Sequence, residues 1–337
     1  MSSNLLRDRI VVVTGGSAGL GRAAASAFAR RGAHVAILAR DADRLNEAQQ
    51  EIEQYGGRVL ALPVDVADAA AVHEAADEVE RKLGLIDIWV NNAMSTVFAP
   101  FLQIEPAEFK RVTEVTYLGF VYGTMAALNR MRRRDRGVIV QVGSALAYRS
   151  IPLQSAYCGA KHAVNGFTDS VRCELIHERS RIHLTTVHMP ALNTPQFDWC
   201  LSRMPRRAQP VPPIFQPEVG ADAIVWAATH RRREWYVAWP SLKTIIGNKL
   251  FPALGDRLAA KDAWDQQMTK QLNSGVAAAN LFTPVKGQQG SHGRFDARAR
   301  PRSRELWVSQ HRNWLLPLSF AALVIGIGAY LHGQQTA

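Results

Sequence analysis

Three side chains with complementary chemistry lie close together in the middle of the sequence. Ser144 supplies a hydroxyl group, Tyr157 a phenol and Lys161 an ammonium group. Tyr157 and Lys161 are four residues apart, so on a helix they share one face, one turn from each other. Because a nearby cation favours the phenolate, we expect the pKa of Tyr157 to fall from about 10 toward neutral. The arrangement predicts a general acid or base that works near pH 7, with Ser144 meeting the phenol at a substrate oxygen.

The Tyr-x-x-x-Lys pair alone is a weak signal of function. A glycine-rich turn near the N-terminus strengthens it, because the turn indicates nucleotide binding. The apolar run Ile10 to Val13 indicates a strand, and the Ala-rich stretch Arg22 to Arg31 indicates a helix. Glycines in a strand–turn–helix context let the backbone approach a pyrophosphate, which then sits at the positive helix N-terminus. The residues of the turn assigned to this cofactor site are Thr14, Gly15, Ser17, Gly19, Leu20 and Gly21.

The end of the second strand indicates which dinucleotide is bound. In dinucleotide-binding folds an acidic residue at this position binds the ribose 2′-hydroxyl and selects NAD. Here the strand from His34 to Ala39 ends without a carboxylate and is followed by Arg40, which can pair with a 2′-phosphate. NADP is therefore the expected cofactor, and NAD remains the alternative because Asp41 could reach the ribose instead.

Strands and helices alternate along residues 1–240, which predicts an α/β fold of the Rossmann type. Beyond the first two strands, we expect strands at 58–62, 86–90, 138–142, 182–188 and 234–238. Helices are expected at 42–55, 68–83, 106–131 and 216–229, with a further helix that carries Tyr157 and ends near Glu178. Such alternation implies a doubly wound parallel sheet, here of about seven strands, with helices on both faces. Ligands bind outside the carboxyl ends of those strands, where the motifs above lie.

Composition narrows the classes of partner. With 337 residues, 47% of them apolar, the chain can bury one sizeable core. The net charge of +11 comes from arginine clusters, which can face nucleic acid or an anionic membrane. The clusters lack interleaved aromatic residues and any recognised nucleic-acid module, so no nucleic-acid partner is expected. The three cysteines, Cys158, Cys173 and Cys200, show neither paired nor metal-ligand spacing, which predicts no metal site and a reducing compartment.

Taken together, the motifs resemble the classical short-chain dehydrogenase/reductase family over roughly residues 5–240. The resemblance implies an oxidoreductase that interconverts a carbonyl and a secondary alcohol, with the hydride supplied by a nicotinamide cofactor. It also implies a homo-oligomer formed through the long helices. The matching positions are Thr14-Gly15-x-x-x-Gly19-x-Gly21, Asp65-Val66, Asn91-Asn92-Ala93, Ser144, Tyr157-x-x-x-Lys161, and Pro190 with Thr194.

The resemblance assigns a role to each matching side chain. Tyr157 would exchange a proton with the substrate oxygen, Lys161 would lower the pKa of that tyrosine and hold the nicotinamide ribose, and Ser144 would polarise the carbonyl. The remaining implied cofactor contacts are Asp65 and Val66 at the adenine, Asn91 and Ala93 along the cofactor, and Pro190 and Thr194 beside the nicotinamide carboxamide.

Three positions depart from the family pattern. Thr116 stands where the family carries an asparagine that supports a proton-relaying water chain, so the resemblance leaves that relay in question. Met94 and Ala191 replace glycines of the family, and both should narrow the site or shift the backbone there. An alternative interpretation is therefore a catalytically weak or silent NADP(H)-binding scaffold or sensor at a membrane.

The segments around the core suggest an apolar substrate. Residues 194–217 are rich in proline, arginine and aromatic side chains, which is typical of a mobile lid over an apolar substrate. Residues 241–280 are expected to form a helical extension. Its apolar stretch at 240–254 would pack on the substrate pocket, lie on a membrane surface or add to the core of the domain.

The C-terminal part of the sequence predicts a membrane anchor. Residues 281–313 form a polar, arginine-rich segment that we interpret as a linker. Residues 314–331 follow without a charge, which matches the roughly 17–25 residues that cross a bilayer. Trp314 and Tyr330 lie at the two ends, where interfacial aromatic residues occur. Because the arginines precede this stretch, the positive-inside rule puts the catalytic domain in the cytoplasm.

Overall fold

A parallel β-sheet forms the centre of the molecule, as the alternation of strands and helices predicts. The computed structural model describes residues 6–273, 279–287 and 289–312. Its main strands are β1 (Ile10–Thr14), β2 (His34–Ala39), β3 (Val59–Pro63), β4 (Ile86–Asn91), β5 (Val138–Ser144), β6 (His183–Met189) and β7 (Glu234–Tyr236). In the described part of the chain these seven strands form one sheet in the order β7-β6-β5-β4-β1-β2-β3, all parallel. The prediction of a Rossmann-type sheet is confirmed.

Helices cover both faces of this sheet. The helices are α1 (Gly19–Ala29), α2 (Ala42–Glu53), α3 (Ala69–Lys82), α4 (Pro106–Thr113), α5 (Gly119–Met131), α6 (Ser155–His177), α7 (Pro217–Thr229), α8 (Trp239–Leu250) and α9 (Pro252–Leu258). Short helical turns lie at Phe101–Gln103, Arg132–Arg134, Ala145–Ala147, Gln196–Trp199, Trp264–Gln266 and Asp296–Arg298, and π-helical turns at Glu114–Leu118 and Ala259–Ala263. Asp41 and Asp68 cap α2 and α3, because their side chains accept hydrogen bonds from the first-turn amides of Arg44 and Ala71.

Alternate residues of the strands point into two separate cores. In β1, Val11 and Val13 belong to the core under α1, α2 and α7, whereas Ile10 and Val12 belong to the core under α3 and α5. This is the two-residue period of a strand that is buried on both faces. Each fully buried Val or Ile contributes about 1.5–3 kcal/mol to the free energy of folding, so the short apolar run holds both layers together.

The helix predicted at 106–131 contains a break in its regular hydrogen bonding. A π-helical turn, Glu114–Leu118, joins α4 to α5. Within it Thr116 is fully buried, and its hydroxyl accepts a hydrogen bond from Ser95 N at 3.0 Å and donates one to Ser95 O at 3.0 Å. Thr116 therefore ties the bulged turn to the segment that follows β4.

The helical extension packs beside the loop that follows β5. Ile245 of α8 is buried, and the Asn248 side chain donates a hydrogen bond to Tyr148 O at 2.7 Å. Other apolar side chains of the extension are at least 40% exposed, namely Trp239, Ile246, Leu250, Phe251, Leu254, Leu258 and Trp264. The extension thus both packs on the domain and presents an apolar outer surface.

The segment that the sequence analysis interpreted as a polar linker, 281–313, instead packs against the Rossmann domain over its described residues. Leu281, Phe295 and Leu306 are each less than 7% exposed. Its backbone also bonds to the core, because Arg300 N donates to Ile214 O at 2.8 Å. Single apolar anchors spaced more than ten residues apart have neither helical nor strand periodicity, which is why the sequence pattern resembled a linker.

The stretch expected to cross a membrane, 314–331, lies outside the described residues. Within 6–273, 279–287 and 289–312, none of the helices combines the length and the hydropathy needed to cross a bilayer.

Candidate active site

A cavity of about 430 Å³ opens at the carboxyl ends of β1, β2, β4, β5 and β6. This is the edge of the sheet at which doubly wound folds bind their ligands. Most of the residues that the sequence analysis assigned to catalysis or cofactor binding line this cavity. They are Gly15, Ser17, Gly19, Leu20, Gly21, Arg40, Asp65, Val66, Ala93, Ser144, Tyr157, Lys161, Pro190 and Thr194.

Ser144, Tyr157 and Lys161 meet at one wall of the cavity. Ser144 is the last residue of β5, and the other two lie in the first two turns of α6. The Ser144 side chain lies close enough to the Tyr157 phenol to lower its pKa, and the Ser144 hydroxyl accepts a hydrogen bond from Leu146 N at 3.1 Å. The Lys161 ammonium donates to Val142 O at 2.8 Å and lies 4.3 Å from the centroid of the Phe120 ring. The end of β5 therefore positions the Ser144 hydroxyl beside the Tyr157 phenol, which lies in the first turn of α6.

Burial controls the proton affinities of this wall. It lowers the pKa of the Lys161 ammonium from 10.5 to about 7, because that side chain is only 2% exposed. Burial raises the pKa of the Tyr157 phenol above its usual 10, and the nearby Ser144 hydroxyl only partly opposes this effect. The expected fall toward neutral is therefore wrong for the chain alone, since a lysine that is half neutral at pH 7 cannot offset the desolvation of a phenolate.

The glycine turn leaves room for a ligand at the start of α1. Gly15 and Gly19 have φ values of +67° and +56°, in a region of backbone conformation that residues with a Cβ atom rarely adopt. A Cβ on Gly21 would lie 2.1 Å from Gly15 O, so this position admits only glycine. The turn and the N-terminus of α1 form a backbone cradle whose shape fits a pyrophosphate.

Charged side chains cluster at the adenosine end of the cavity. The Arg111 guanidinium forms an ion pair with Asp65, and Arg44 pairs with Asp41 at 3.3 Å. The Arg44 side chain is buried, and its Nε has no hydrogen-bond partner among the described residues. Together with Arg40, these groups fit an anion such as a 2′-phosphate. The sequence analysis missed Arg44, although an arginine four residues after Arg40 was a signal for it.

Thr14 is not among the described residues that line the cavity, but its hydrogen bonds hold the site together. Its hydroxyl donates to Val90 O at 3.3 Å and accepts from Asn92 N at 2.9 Å and Ala93 N at 3.1 Å. These bonds join the end of β1 to the end of β4. Thr14 therefore positions the glycine turn rather than bordering the cofactor space, which corrects the expectation from the sequence.

Asn91 also differs from its expected role at the cofactor. Its side chain is fully buried, accepts from Trp89 Nε1 at 2.8 Å and donates to Gln141 Oε1 at 2.9 Å. Among the residues that the structure describes, it is Asn92 and Ala93 that line the cavity. The correction follows from the strand period, because neighbouring side chains at the end of β4 point in different directions.

The three departures from the family pattern have separate structural consequences. Met94 and Ala191 both line the cavity, as expected for residues that narrow it. Thr116 uses its hydroxyl as donor and acceptor to the Ser95 backbone. That hydroxyl is therefore committed to holding the backbone of the π-helical turn.

The substrate side of the cavity is mostly apolar and includes part of the expected lid. Residues 194–217 contain a short helix and two short strands, Leu201–Ser202 and Arg206–Ala208, which pair with Val97–Phe98 and Met268–Leu272. The Phe197 ring packs on Phe98 at 5.9 Å between centroids. Lining residues beyond those predicted from the sequence include Ile151, Gln154, Trp199, Gln209 and the run Pro210–Val211–Pro212–Pro213. The segment covers the pocket and is itself paired to the domain.

Comparison with known proteins agrees with this architecture. The family model described as short chain dehydrogenase matches residues 9–199. An uncharacterized oxidoreductase of Bacillus subtilis, YxnA, is 30% identical over 334 residues, covering 98% of this chain and 92% of the relative. A fatty acyl-CoA reductase of Acinetobacter baylyi is 28% identical over 274 residues, covering 75% of this chain and 90% of the relative.

Solved structures show the same similarity. A metagenomic short-chain oxidoreductase in complex with NADP is 25% identical, with a TM-score of 0.58 over 70% of this chain and 96% of that one. A short chain dehydrogenase of Mycobacterium paratuberculosis bound to NAD, 24% identical, shares the fold with a TM-score of 0.60 over 68% of this chain and 96% of that one. The chain belongs to the short chain dehydrogenase family, and it is an NAD(P)-dependent oxidoreductase that acts on CH–OH groups.

Proposed function

We propose that this oxidoreductase uses NADP to interconvert a carbonyl and a secondary alcohol on an apolar substrate. The observation that carries the proposal is that Ser144, Tyr157 and Lys161 line a wall of the same cavity as the glycine turn. A substrate carbonyl group bound between Tyr157 and the glycine turn would have its oxygen at the hydroxyl groups of Ser144 and Tyr157. The nicotinamide cofactor, when bound, supplies or accepts the hydride.

The side chains of this wall handle the proton. Burial raises the pKa of Tyr157, so its phenol is protonated at neutral pH, which is the form that donates a proton to a carbonyl oxygen during reduction. Ser144 is placed to donate a second hydrogen bond to that oxygen as negative charge develops on it. Lys161, with a pKa of about 7, exchanges its own proton readily at neutral pH, and its charged form offsets part of the cost of the phenolate that is left behind.

The preference for NADP rests on the positive cluster at the adenosine end. Arg40, Arg44 and Arg111 line or border that end, and Asp41 and Asp65 neutralise part of their charge. A 2′-phosphate would supply the remaining counter-charge, and the unpartnered Arg44 Nε gives it a buried donor. Relatives of known structure bind NADP in one case and NAD in another, so the preference of this chain is a proposal from its own arginines.

The apolar substrate is proposed from the lining of the pocket. Ile151 and Phe197 line the cavity together with the proline run at 210–213. A lining of this kind suits an apolar substrate that carries one carbonyl group. The similarity to a fatty acyl-CoA reductase supports the same class.

The test of this function is NADPH oxidation by the full-length, detergent-solubilised protein with a panel of lipid-like and small polar ketones. Turnover of lipid-like ketones that is lost in Tyr157→Phe, with NADPH binding retained, is the expected result. Preference for small polar ketones would refute the apolar substrate. Bound NADPH with no turnover across the panel would favour the alternative scaffold or sensor, for which Thr116→Asn is the next variant.

We further propose that residues 314–331 attach the protein to a membrane, with the catalytic domain on the cytoplasmic side. The proposal rests on the uncharged stretch itself and on the arginines that precede it. A charge at the centre of a spanning helix costs about 2.5–3.5 kcal/mol on insertion scales, so Leu323→Arg should lower the membrane-bound fraction of the protein. Recovery of the unaltered chain in the soluble fraction without detergent would contradict the proposal.

A further inference from the structure

The chain returns to its own cofactor site after the helical extension. We call residues 280–287 and 289–293 the C-terminal arm. The arm meets Arg40, whose guanidinium donates hydrogen bonds to three successive backbone carbonyls, Asn280 O at 2.5 Å, Leu281 O at 3.1 Å and Phe282 O at 2.8 Å. A fourth contact joins Arg40 Nη2 to Asn280 Oδ1 at 3.3 Å. The side chain proposed to read a 2′-phosphate is thus already occupied.

The arm also reaches the pyrophosphate cradle. Gly290 O accepts a hydrogen bond from Gly19 N at 3.0 Å, and Arg22 Nη1 donates to Gln289 O at 3.2 Å. Gly19 is the first residue of α1, and amides at this end of a helix are those that bind anionic groups. Carbonyl oxygens of the arm therefore take up donors at both ends of the region where the adenosine phosphates would lie.

Side chains anchor the arm to the domain. Leu281 is 3% exposed and packs in the cluster that contains Val97 and Val112. Arg111 donates to Leu281 O at 3.2 Å, in addition to its ion pair with Asp65. The arm is consequently a built part of the fold, held on one side by an apolar anchor and on the other by the arginines of the cofactor site.

We propose that the C-terminal arm is a latch on the cofactor site, which the 2′-phosphate of NADP releases by taking Arg40 away from the arm carbonyls. The inference rests on the proposed use of NADP. A doubly charged phosphate forms stronger, charge-assisted hydrogen bonds with a guanidinium than neutral carbonyls do. The ribose 2′-hydroxyl of NAD lacks that charge, so it leaves the bonds between Arg40 and the arm in place. The phosphate therefore acts on the cofactor affinity in two ways, through its own bonds with Arg40 and through the release of the arm.

Hydrogen exchange of the full-length protein tests the release directly. With saturating NADPH, amides in residues 280–287 should exchange several-fold faster than in the free protein, whereas saturating NADH should leave their exchange unchanged. Equal behaviour with the two nucleotides, or slower exchange with NADPH, would show that the arm is a wall of the bound site and would overturn the latch.

A variant tests the same idea through affinity. Leu281→Ala removes the apolar anchor, and a cavity of that kind weakens the seating of a segment strongly. Because a competing closed state reduces apparent affinity by the fraction of open protein, the Kd for NADPH should fall by about tenfold. The Kd for NADH should fall by less, because only the 2′-phosphate competes with the arm for Arg40. Leu102→Ala, at a position 95% exposed, is the matched control and should change neither. If Leu281→Ala fails to fold, Asn280→Ala replaces it in the test. This variant removes the side-chain contact with Arg40 and should also lower the Kd for NADPH.

The outcomes separate the latch from the proposed function. An unaltered protein that binds neither nucleotide refutes both. An unaltered protein that binds NADPH, combined with a Leu281→Ala variant whose Kd for NADPH is unchanged or higher, refutes only the latch.

Discussion

Lys161 should make the folded protein less stable than a chain with an apolar side chain at the same position. The ammonium is 2% exposed, and burial lowers its pKa to about 7 from 10.5. The described residues provide it with one carbonyl, Val142 O, and the face of the Phe120 ring. Lys161→Met keeps an unbranched chain of similar length and removes the charge.

The size of the effect follows from the two pKa values. Each pH unit between them corresponds to about 1.4 kcal/mol, so the charged lysine costs the folded state roughly 5 kcal/mol. The substitution also loses the bond to Val142 O, worth about 1–2 kcal/mol, and the contact with the Phe120 ring, worth about 1–2 kcal/mol. The net expectation is that Lys161→Met raises the free energy of unfolding by on the order of 2 kcal/mol at neutral pH or below.

The effect has a defined dependence on pH. Between about 7 and 10.5 the unfolded chain holds a proton on Lys161 that the folded chain has released. Stability of the unaltered protein therefore rises with pH through this window. The variant has no such group and lacks this rise. The advantage of Lys161→Met should be largest below pH 7 and, at about 1.4 kcal/mol per pH unit, should disappear near pH 8.5. Above that pH the variant should be the less stable protein.

Denaturant unfolding of the cofactor-free, full-length protein at several pH values between 6 and 10 measures this difference. Lys110→Met is the control, because that side chain is 77% exposed, and it should change the free energy of unfolding by less than about 0.5 kcal/mol. A Lys161→Met variant that is less stable at pH 6.5, or whose difference from the unaltered protein does not vary with pH, would refute the argument from burial. We expect the same variant to lose turnover, because the proposed mechanism uses the proton of the Lys161 ammonium.

Three further substitutions test other parts of the site. Gly21→Ala should abolish nucleotide binding measured by fluorescence titration, because its Cβ would lie 2.1 Å from Gly15 O; retained affinity would show that the turn can relax. Arg40→Asp should raise the Kd for NADPH by about 10- to 100-fold, the equivalent of losing one charge-assisted contact, and favour NADH; an unchanged preference would mean that Arg40 does not read the phosphate. Thr116→Val should lower the free energy of unfolding by about 1–3 kcal/mol, because it leaves the buried Ser95 N–H and C=O without their partner; a smaller loss in denaturant unfolding would show that the π-helical turn repairs itself.

The sheet, the glycine turn and the meeting of Ser144, Tyr157 and Lys161 in one cavity could all be predicted from the amino-acid sequence. Each of these depends on residues that are close together in the chain, such as the four-residue spacing of Tyr157 and Lys161 or the strand–turn–helix order around Gly19. Local periodicity and backbone sterics dictate such features, so they can be inferred before any contact is known. The same reasoning located the second strand at His34–Ala39.

Which side chains face the cavity, and what their proton affinities are, depended on the folded structure. Asn91 and Asn92 are neighbours in the chain, yet the first is buried beneath the sheet edge and the second lines the site. The pKa values of Tyr157 and Lys161 move in the directions set by burial, which the spacing of residues does not reveal. Arg40 meets Asn280 across 240 residues of chain. A contact of that separation depends on how the whole domain packs, because isolated apolar anchors and backbone carbonyls produce no local pattern in the sequence.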